Sequence, residues 1–292
     1  MQRAGHTAEA RVDFTRFQHL TSTKIGSPIG LSYGEQGHYS TVTPIEEPPT
    51  VASRMIPVRL VETPATPETA AHFTTTGGAC MIDATVAGQM DLVLMQSGPQ
   101  AIRVLHRLPG GSFEDLDAPA MGLKASGPGI ACAVGDYNGD GLNDLAVATG
   151  DAVLLFRNLG HGKFQNVTAE SGLAPRNRPT GITFVDYDHD GDLDLLLTGS
   201  PLSAGGESNV LWRNSGNGTF TEQTAETGLG GSGNSAAAIL TDFNNDRAVD
   251  LAVTGDGAAP VLYVNPREGK YPTQPLYQHQ TLPPTVGIAV LD

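Results

Sequence analysis

A nine-residue loop that recurs along the chain sets the strongest limit on what it can fold into. In its clearest form, Asp136-Tyr-Asn-Gly-Asp-Gly-Leu-Asn-Asp144, side-chain oxygens fall at positions 1, 3, 5 and 9, and a glycine sits at position 6. Alternate oxygens of a tight loop suit a hard cation such as Ca²⁺, which takes six to eight oxygens at roughly 2.3–2.6 Å. Asp136, Asn138, Asp140 and Asp144 are the candidate side-chain ligands, joined by the carbonyl oxygen of Leu142. A second copy supplies Asp186, Asp188, Asp190 and Asp194, with Asp192 in the carbonyl-donating place and Gly191 at the turn. A third supplies Asp242, Asn244, Asp246 and Asp250, but Arg247 replaces the glycine, so two full calcium sites and a weaker third are expected. A worn copy lies upstream: Asp83, Thr85, Gly88 and Asp91 remain, and Ala87 has lost the position-5 oxygen.

An EF-hand opens with the same residues, but it needs a bidentate Glu at position 12 and a helix on each side. Position 12 here is Val147 or Leu197, and the flanks are short apolar runs, 130–134 before the loop and 144–149 after it. Such runs read as buried strands, so the loop is expected to join two strands of a hairpin.

The spacing then fixes the architecture. Position 1 recurs at Asp83, Asp136, Asp186 and Asp242, and Asp292 occupies the start of a further copy, giving steps of 50 to 56 residues. A second landmark keeps phase with it: Asn158, Asn214 and Asn265 each precede a glycine by four residues and an aromatic by six, as Arg107 does in the worn copy. This is a second hairpin, followed by a similar tail in 168–173 and 224–229. One repeat is therefore strand, acidic loop, strand, variable loop, strand, glycine hairpin, strand. Four antiparallel strands per repeat of about 50 residues make a propeller blade. The expected fold is an all-β propeller with repeats at 76–129 (degenerate), 130–180, 181–235 and 236–285, and a further one begun at 286–292. In such a meander the acidic loops and the glycine hairpins share one end of the blades. The 200–208 insertion and the crossovers at 173–179 and 229–234 share the other.

Residues 1–75 carry no repeat, are broken by prolines, and read as a linker or wrapping segment with one candidate strand at 55–61. A net charge of −14 argues against nucleic acid, and no run approaches the ~20 apolar residues of a membrane helix. The polar stretch 1–12 does not resemble a signal peptide, and the repeat interrupted at Asp292 reads as a chain cut from a longer one. Cys80 and Cys132, the two cysteines, fall at nearly matching places on successive inner strands and are read as buried free thiols, the alternative being a disulfide if their Cα atoms come within roughly 7 Å. His189 is read as facing solvent, Trp212 as core, and the glycine-rich 228–233 as a crossover, since a strand follows it where a dinucleotide site needs a helix.

The loops Asp-Tyr-Asn-Gly-Asp-Gly-Leu-Asn-Asp and Asp-Tyr-Asp-His-Asp-Gly-Asp-Leu-Asp, with the hairpin Phe-Arg-Asn-Leu-Gly-His-Gly-Lys-Phe, closely resemble FG-GAP or VCBS-type repeats. These are similar to the calcium-binding blades of the integrin α-chain head and of cartilage acidic protein. The resemblance implies a propeller of about seven blades, of which this chain holds about four, in an extracellular, cell-surface or periplasmic setting. It further implies a non-catalytic part in adhesion, with a protein or glycan partner expected on the face opposite the calcium loops. The rival implied by other propellers is a polysaccharide lyase or sugar dehydratase, and the third is a passive spacer. No catalytic motif is present, and the inner-strand runs 130–134, 182–185 and 236–240 hold no acidic or basic side chain apart from the Cys132 thiol.

Overall fold

The computed structural model describes residues 77–285, 287 and 288, apart from 87, 110, 175, 232, 257–259, 268 and 277–284. Contacts divide the chain into Met1–Glu62 and Thr63–Asp292, and every described residue belongs to the second unit. The candidate strand at 55–61 and most of the further repeat at 286–292 lie outside the described residues.

The described residues form four four-stranded antiparallel sheets, each a meander in simple sequence order. Blade 1 comprises β1 Ala79–Val86, β2 Gln89–Met95, β3 Ile102–Arg107 and β4 Phe113–Leu116. Blade 2 comprises β5 Gly129–Gly135, β6 Asp144–Thr149, β7 Val153–Asn158 and β8 Phe164–Asn166. In blade 3 the strands are β9 Asn177–Val185, β10 Asp194–Pro201, β11 Val210–Asn214 and β12 Phe220–Glu222. Blade 4 holds β13 Asn234–Thr241, β14 Asp250–Asp256, β15 Val261–Tyr263 and β16 Thr273–Pro275. The register repeats too. Leu92 faces Leu105 in blade 1, Leu145 faces Phe156 in blade 2, Leu195 faces Trp212 in blade 3 and Leu251 faces Tyr263 in blade 4.

Three apolar clusters lie between successive blades. The first joins Ile82, Val93, Met95 and Val104 of blade 1 to Leu145, Val147, Phe156 and Phe164 of blade 2. The second joins Ala146, Val153 and Leu155 of blade 2 to Leu195, Trp212 and Phe220 of blade 3. The third joins Leu196 and Leu211 of blade 3 to Leu251, Val253 and Tyr263 of blade 4. Successive side chains of a strand point to opposite faces. Leu145 and Val147 therefore serve the first cluster while Ala146 and Ala148 serve the second. A strand covered on both faces needs no polar alternation, which is why β6 buries all six of its residues. Trp212 is core, as expected.

Two features differ from the expectation. The repeat tails, to which the sequence assigned no element, hold single helical turns: α1 Ala118–Met121, α2 Thr168–Ser171 and α3 Thr224–Thr227, each closed by a left-handed glycine, Gly122, Gly172 or Gly228. The cysteines are not free thiols. Cys80 of β1 and Cys132 of β5 form a disulfide, with Cα atoms 6.0 Å apart, inside the bonding range. Placing the first strands of successive blades side by side brings two half-buried thiols within reach of each other.

Candidate metal centre

Position 9 of each loop is the pivot of the site. Asp91, Asp144, Asp194 and Asp250 are fully buried at the second strand of their blades. One oxygen of the last three accepts from the backbone N–H of position 2: Tyr137 at 3.3 Å, Tyr187 at 3.1 Å, Phe243 at 3.0 Å. The other oxygen accepts from the N–H of the hairpin asparagine: Asn158 at 2.7 Å, Asn214 at 2.8 Å, Asn265 at 2.7 Å. One carboxylate thus ties the acidic loop to the third strand of its blade. Burial disfavours its charged form. Desolvation pushes Asp144 and Asp194 up to about 7, against the opposing pull of these two N–H donors. A cation beside them would reverse that balance.

The loops differ in what remains for an ion. In the Asp136 loop both position-1 oxygens accept backbone N–H groups, from Asp140 at 3.1 Å and Gly141 at 2.8 Å. The Asp242 loop does the same with Asp246 at 3.0 Å and Arg247 at 2.8 Å. In the Asp186 loop one oxygen of Asp186 accepts from Gly191, but its Oδ1 and that of Asp188 are buried with no hydrogen-bond partner. Oxygens from Asp186, Asp188 and Asp194 all lie within 4.8 Å of one another, so these three residues can hold a metal ion. They form the one such group among the described residues. Unpaired buried carboxylate oxygens that converge fit a hard cation and little else.

The remaining candidates have other partners. Asp190 accepts from Arg213 Nη2 at 2.6 Å, while Arg213 Nε reaches Asp188 Oδ2 at 2.5 Å. Asp140 pairs with Arg157 at 3.2 Å. Desolvation of Asp140 is outweighed by the Leu142 N–H and the Arg157 guanidinium, which hold its carboxyl below the usual range. Asp192 is half-buried against Gly216, where a Cβ would stand 2.6 Å from its Oδ2. In the Asp242 loop, Asn244 donates to Asp246 at 2.8 Å, and Arg267 donates to the Asp246 carbonyl. In the worn copy side chains take up both oxygens of position 9: His106 Nδ1 lies 2.6 Å from Asp91 Oδ1, and the Thr85 hydroxyl donates to Asp91 Oδ2 at 2.9 Å.

Sequence reasoning missed the third-strand partners. Arg157, Arg213 and His106 all stand one residue before the hairpin landmark, a regularity visible in the sequence. It also missed how loops are linked between blades. Asn214 Nδ2 donates to the Tyr137 carbonyl of the preceding loop at 2.7 Å, and Asn265 repeats the bond to Tyr187 at 2.9 Å. His189 is exposed, yet its ring accepts from the Val249 N–H of the next blade at 3.3 Å.

The FG-GAP-like repeat family matches residues 87–147, 136–197 and 202–253, together more than half of the chain. No curated protein matches it in sequence. Among solved structures, an Agrocybe aegerita lectin that recognises non-reducing terminal N-acetylglucosamine is 18% identical, with a TM-score of 0.42, over 67% of this chain and 50% of its own. The V. cholerae biofilm matrix protein Bap1 is 16% identical, TM-score 0.40, over 66% of this chain and 27% of its own. The Photorhabdus luminescens Tc holotoxin pore is 21% identical, TM-score 0.41, over 68% of this chain and 9% of its own. The chain therefore spans half or less of the length of each. With three consecutive repeats matched, and four blades whose loops and hairpins keep one phase, the chain belongs to the FG-GAP-like repeat family.

Proposed function

We propose that the chain is a calcium-stabilised, non-catalytic recognition module. The observation that carries the reading is the convergence of Asp186, Asp188 and Asp194 with two buried, unpartnered oxygens. An ion there neutralises carboxylates that otherwise repel one another and locks the first hairpin of blade 3. The Asp136 and Asp242 loops keep the same frame and take the ion less readily, because both position-1 oxygens already accept backbone N–H groups.

With the acidic end of the blades given to the ion and the hairpins, recognition falls to the opposite end. There residues 202–207 and the crossovers, including Arg176 and Arg178, are offered to a protein or glycan partner. The absence of carboxylate, His, Lys and Arg side chains from 130–134, 182–185 and 236–240, with Cys132 tied up in the bridge to Cys80, supports a non-enzymatic role. The Cys80–Cys132 bridge supports an oxidising, extracytoplasmic setting. None of the helices among the described residues is long and apolar enough to cross a membrane.

Calorimetric titration of Ca²⁺ into the chelator-treated chain, with thermal unfolding in parallel, tests the reading. The expected result is a bound ion that raises the melting temperature, with the tightest site lost in Asp188→Asn. Neither heat nor a shift in melting would leave the loops as acidic turns and sink the proposal.

A further inference from the structure

The three intact acidic loops share one frame and differ in what faces them from the third strand. The residue before the hairpin asparagine is Arg157 in blade 2, Arg213 in blade 3 and Val264 in blade 4. Arg213 bridges two carboxylates of its loop, Nε to Asp188 Oδ2 at 2.5 Å and Nη2 to Asp190 Oδ2 at 2.6 Å. Arg157 reaches position 5 alone, Asp140, at 3.2 Å. The Val264 side chain has no donor to offer, and in that loop position 3 turns onto position 5: Asn244 Nδ2 donates to Asp246 Oδ2 at 2.8 Å.

The inner oxygens change with the arginine. In blade 2 the N–H of position 5, Asp140, is shared between Asp136 Oδ1 at 3.1 Å and Asn138 Oδ1 at 3.0 Å. In blade 4 the N–H of Asp246 is shared in the same way between Asp242 Oδ1 and Asn244 Oδ1, each at 3.0 Å. Those bonds occupy the oxygens that an ion would use. In blade 3 the N–H of Asp190 makes neither bond, and Oδ1 of Asp186 and Oδ1 of Asp188 are left buried without a partner. Drawing the outer oxygens of Asp188 and Asp190 onto the third strand accounts for the difference. A guanidinium suits the task, because its planar fork fixes two contacts at once. Its own place is fixed too: the N–H of the next residue, Asn214, donates to the buried Asp194 at 2.8 Å.

On the reading of this loop as a calcium site, we propose that Arg213 is the positioning residue of the metal centre. It holds the outer oxygens of Asp188 and Asp190, leaves the inner oxygens of Asp186 and Asp188 free for Ca²⁺, and stays in place when the ion binds. A cation beside a cation site carries a cost, but here the cost is small. The loop has five aspartates, so one guanidinium and one divalent ion together still leave it negative. The Arg213 side chain is also 39% exposed, and water weakens its repulsion of the ion. Ligand carboxylates are commonly held by such an outer partner, whose loss weakens metal binding by roughly 10–100-fold.

The test is Ca²⁺ calorimetry on the chelator-treated full chain, wild type against Arg213→Met and Arg213→Lys, with amide hydrogen exchange of the metal-free forms. Arg213→Met should weaken the tightest site by about tenfold or more. Arg213→Lys should weaken it as well, since an ammonium keeps the charge and loses the fork. In metal-free Arg213→Met the Asp190 amide should exchange more slowly than in the wild type, because its N–H gains the acceptors that Asp140 and Asp246 already have. Should Arg213→Met fail to fold, Arg213→Lys carries the comparison. A wild-type chain that gives no heat with Ca²⁺ overturns the calcium reading and this role with it. Heat in the wild type, with Arg213→Met unchanged or tighter, overturns the role of Arg213 alone, because the arginine would then compete with the ion. An Asp190 amide that exchanges no more slowly in Arg213→Met overturns it too.

Discussion

Replacing both cysteines by alanine tests how blades 1 and 2 are held together. The bridge closes a sequence separation of 52 residues, and in the chain-entropy account a loop of that size lowers the stability of the unfolded state by about 4 kcal/mol. Little opposes this in the folded state. Both cysteines are only half-buried against the first cluster, so trimming each to alanine removes about one buried sulfur apiece, worth well under the entropic term. The expected loss in Cys80→Ala/Cys132→Ala is therefore about 3–4 kcal/mol, read from the denaturant midpoint at unchanged slope. Repeat proteins couple mainly through nearest-neighbour interfaces. If the blades unfold in steps, the loss falls on the step that frees blade 1, and hydrogen exchange should show β1 to β4 opening first. Reductant added to the wild type should reproduce the effect. A loss below about 1 kcal/mol in both experiments would refute the reasoning, since the bridge would then join segments already held by their packing.

Further outcomes follow from the same geometry. Asp144 and Asp194 sit at about 7 in the metal-free fold, above the ~3.9 of an unfolded chain. The fold therefore binds more protons than the unfolded chain between those values, so their contribution is greatest below about pH 4 and is lost as pH rises through about 7. In chelator, Asp194→Asn should flatten that slope in urea titrations at pH 5 and pH 7, and an unchanged slope would contradict the assignment. Asn214→Ala should cost about 2–3 kcal/mol in the same titration, because it strands the buried bonds to the Tyr137 and Leu193 carbonyls. Gly122→Ala should cost at least as much: its φ is +97°, and a Cβ would lie 2.0 Å from the Phe164 carbonyl oxygen. A neutral Gly122→Ala in thermal unfolding would mean that the α1 turn can shift freely away from β8.

The repeat was legible because two independent constraints share one period. Oxygens at positions 1, 3, 5 and 9 mark the first hairpin, and the asparagine six residues before an aromatic marks the second. Together they place all four strands of a blade. The end of the blade to which each loop belongs follows from the meander alone. What the sequence did not yield depends on distances between blades. The disulfide needs β1 and β5 side by side at 6.0 Å, and matching repeat positions are equally compatible with separate thiols. The hairpin asparagines look like turn residues, and only the structure shows their amides crossing to the preceding loop. The helical turns were missed because four residues are too few to show a helical period.

The fourth blade shows how far the repeat tolerates departures from its own pattern. Position 6 of its loop and the residue two beyond its hairpin asparagine are glycines in blades 2 and 3, Gly141 with Gly160 and Gly191 with Gly216. In blade 4 they are Arg247 and Arg267, held at φ of 69° and 68°. Each left-handed arginine costs roughly 1 kcal/mol relative to glycine, and Arg267 recovers part of this by donating to the Asp246 carbonyl. Two cations beside Asp242 and Asp246 also compete with any metal for the same carboxylates. Ca²⁺ affinity should therefore fall from the Asp186 loop to the Asp136 loop to the Asp242 loop. Arg247→Gly should stabilise the metal-free chain by about 1 kcal/mol and tighten the third site, as read by calorimetry in an Asp188→Asn background. Were the Asp242 loop the tightest of the three, or were Arg247→Gly to weaken it, the arginines would have to be acting as ligand-ordering groups, and the ranking by glycine and free oxygen would fail.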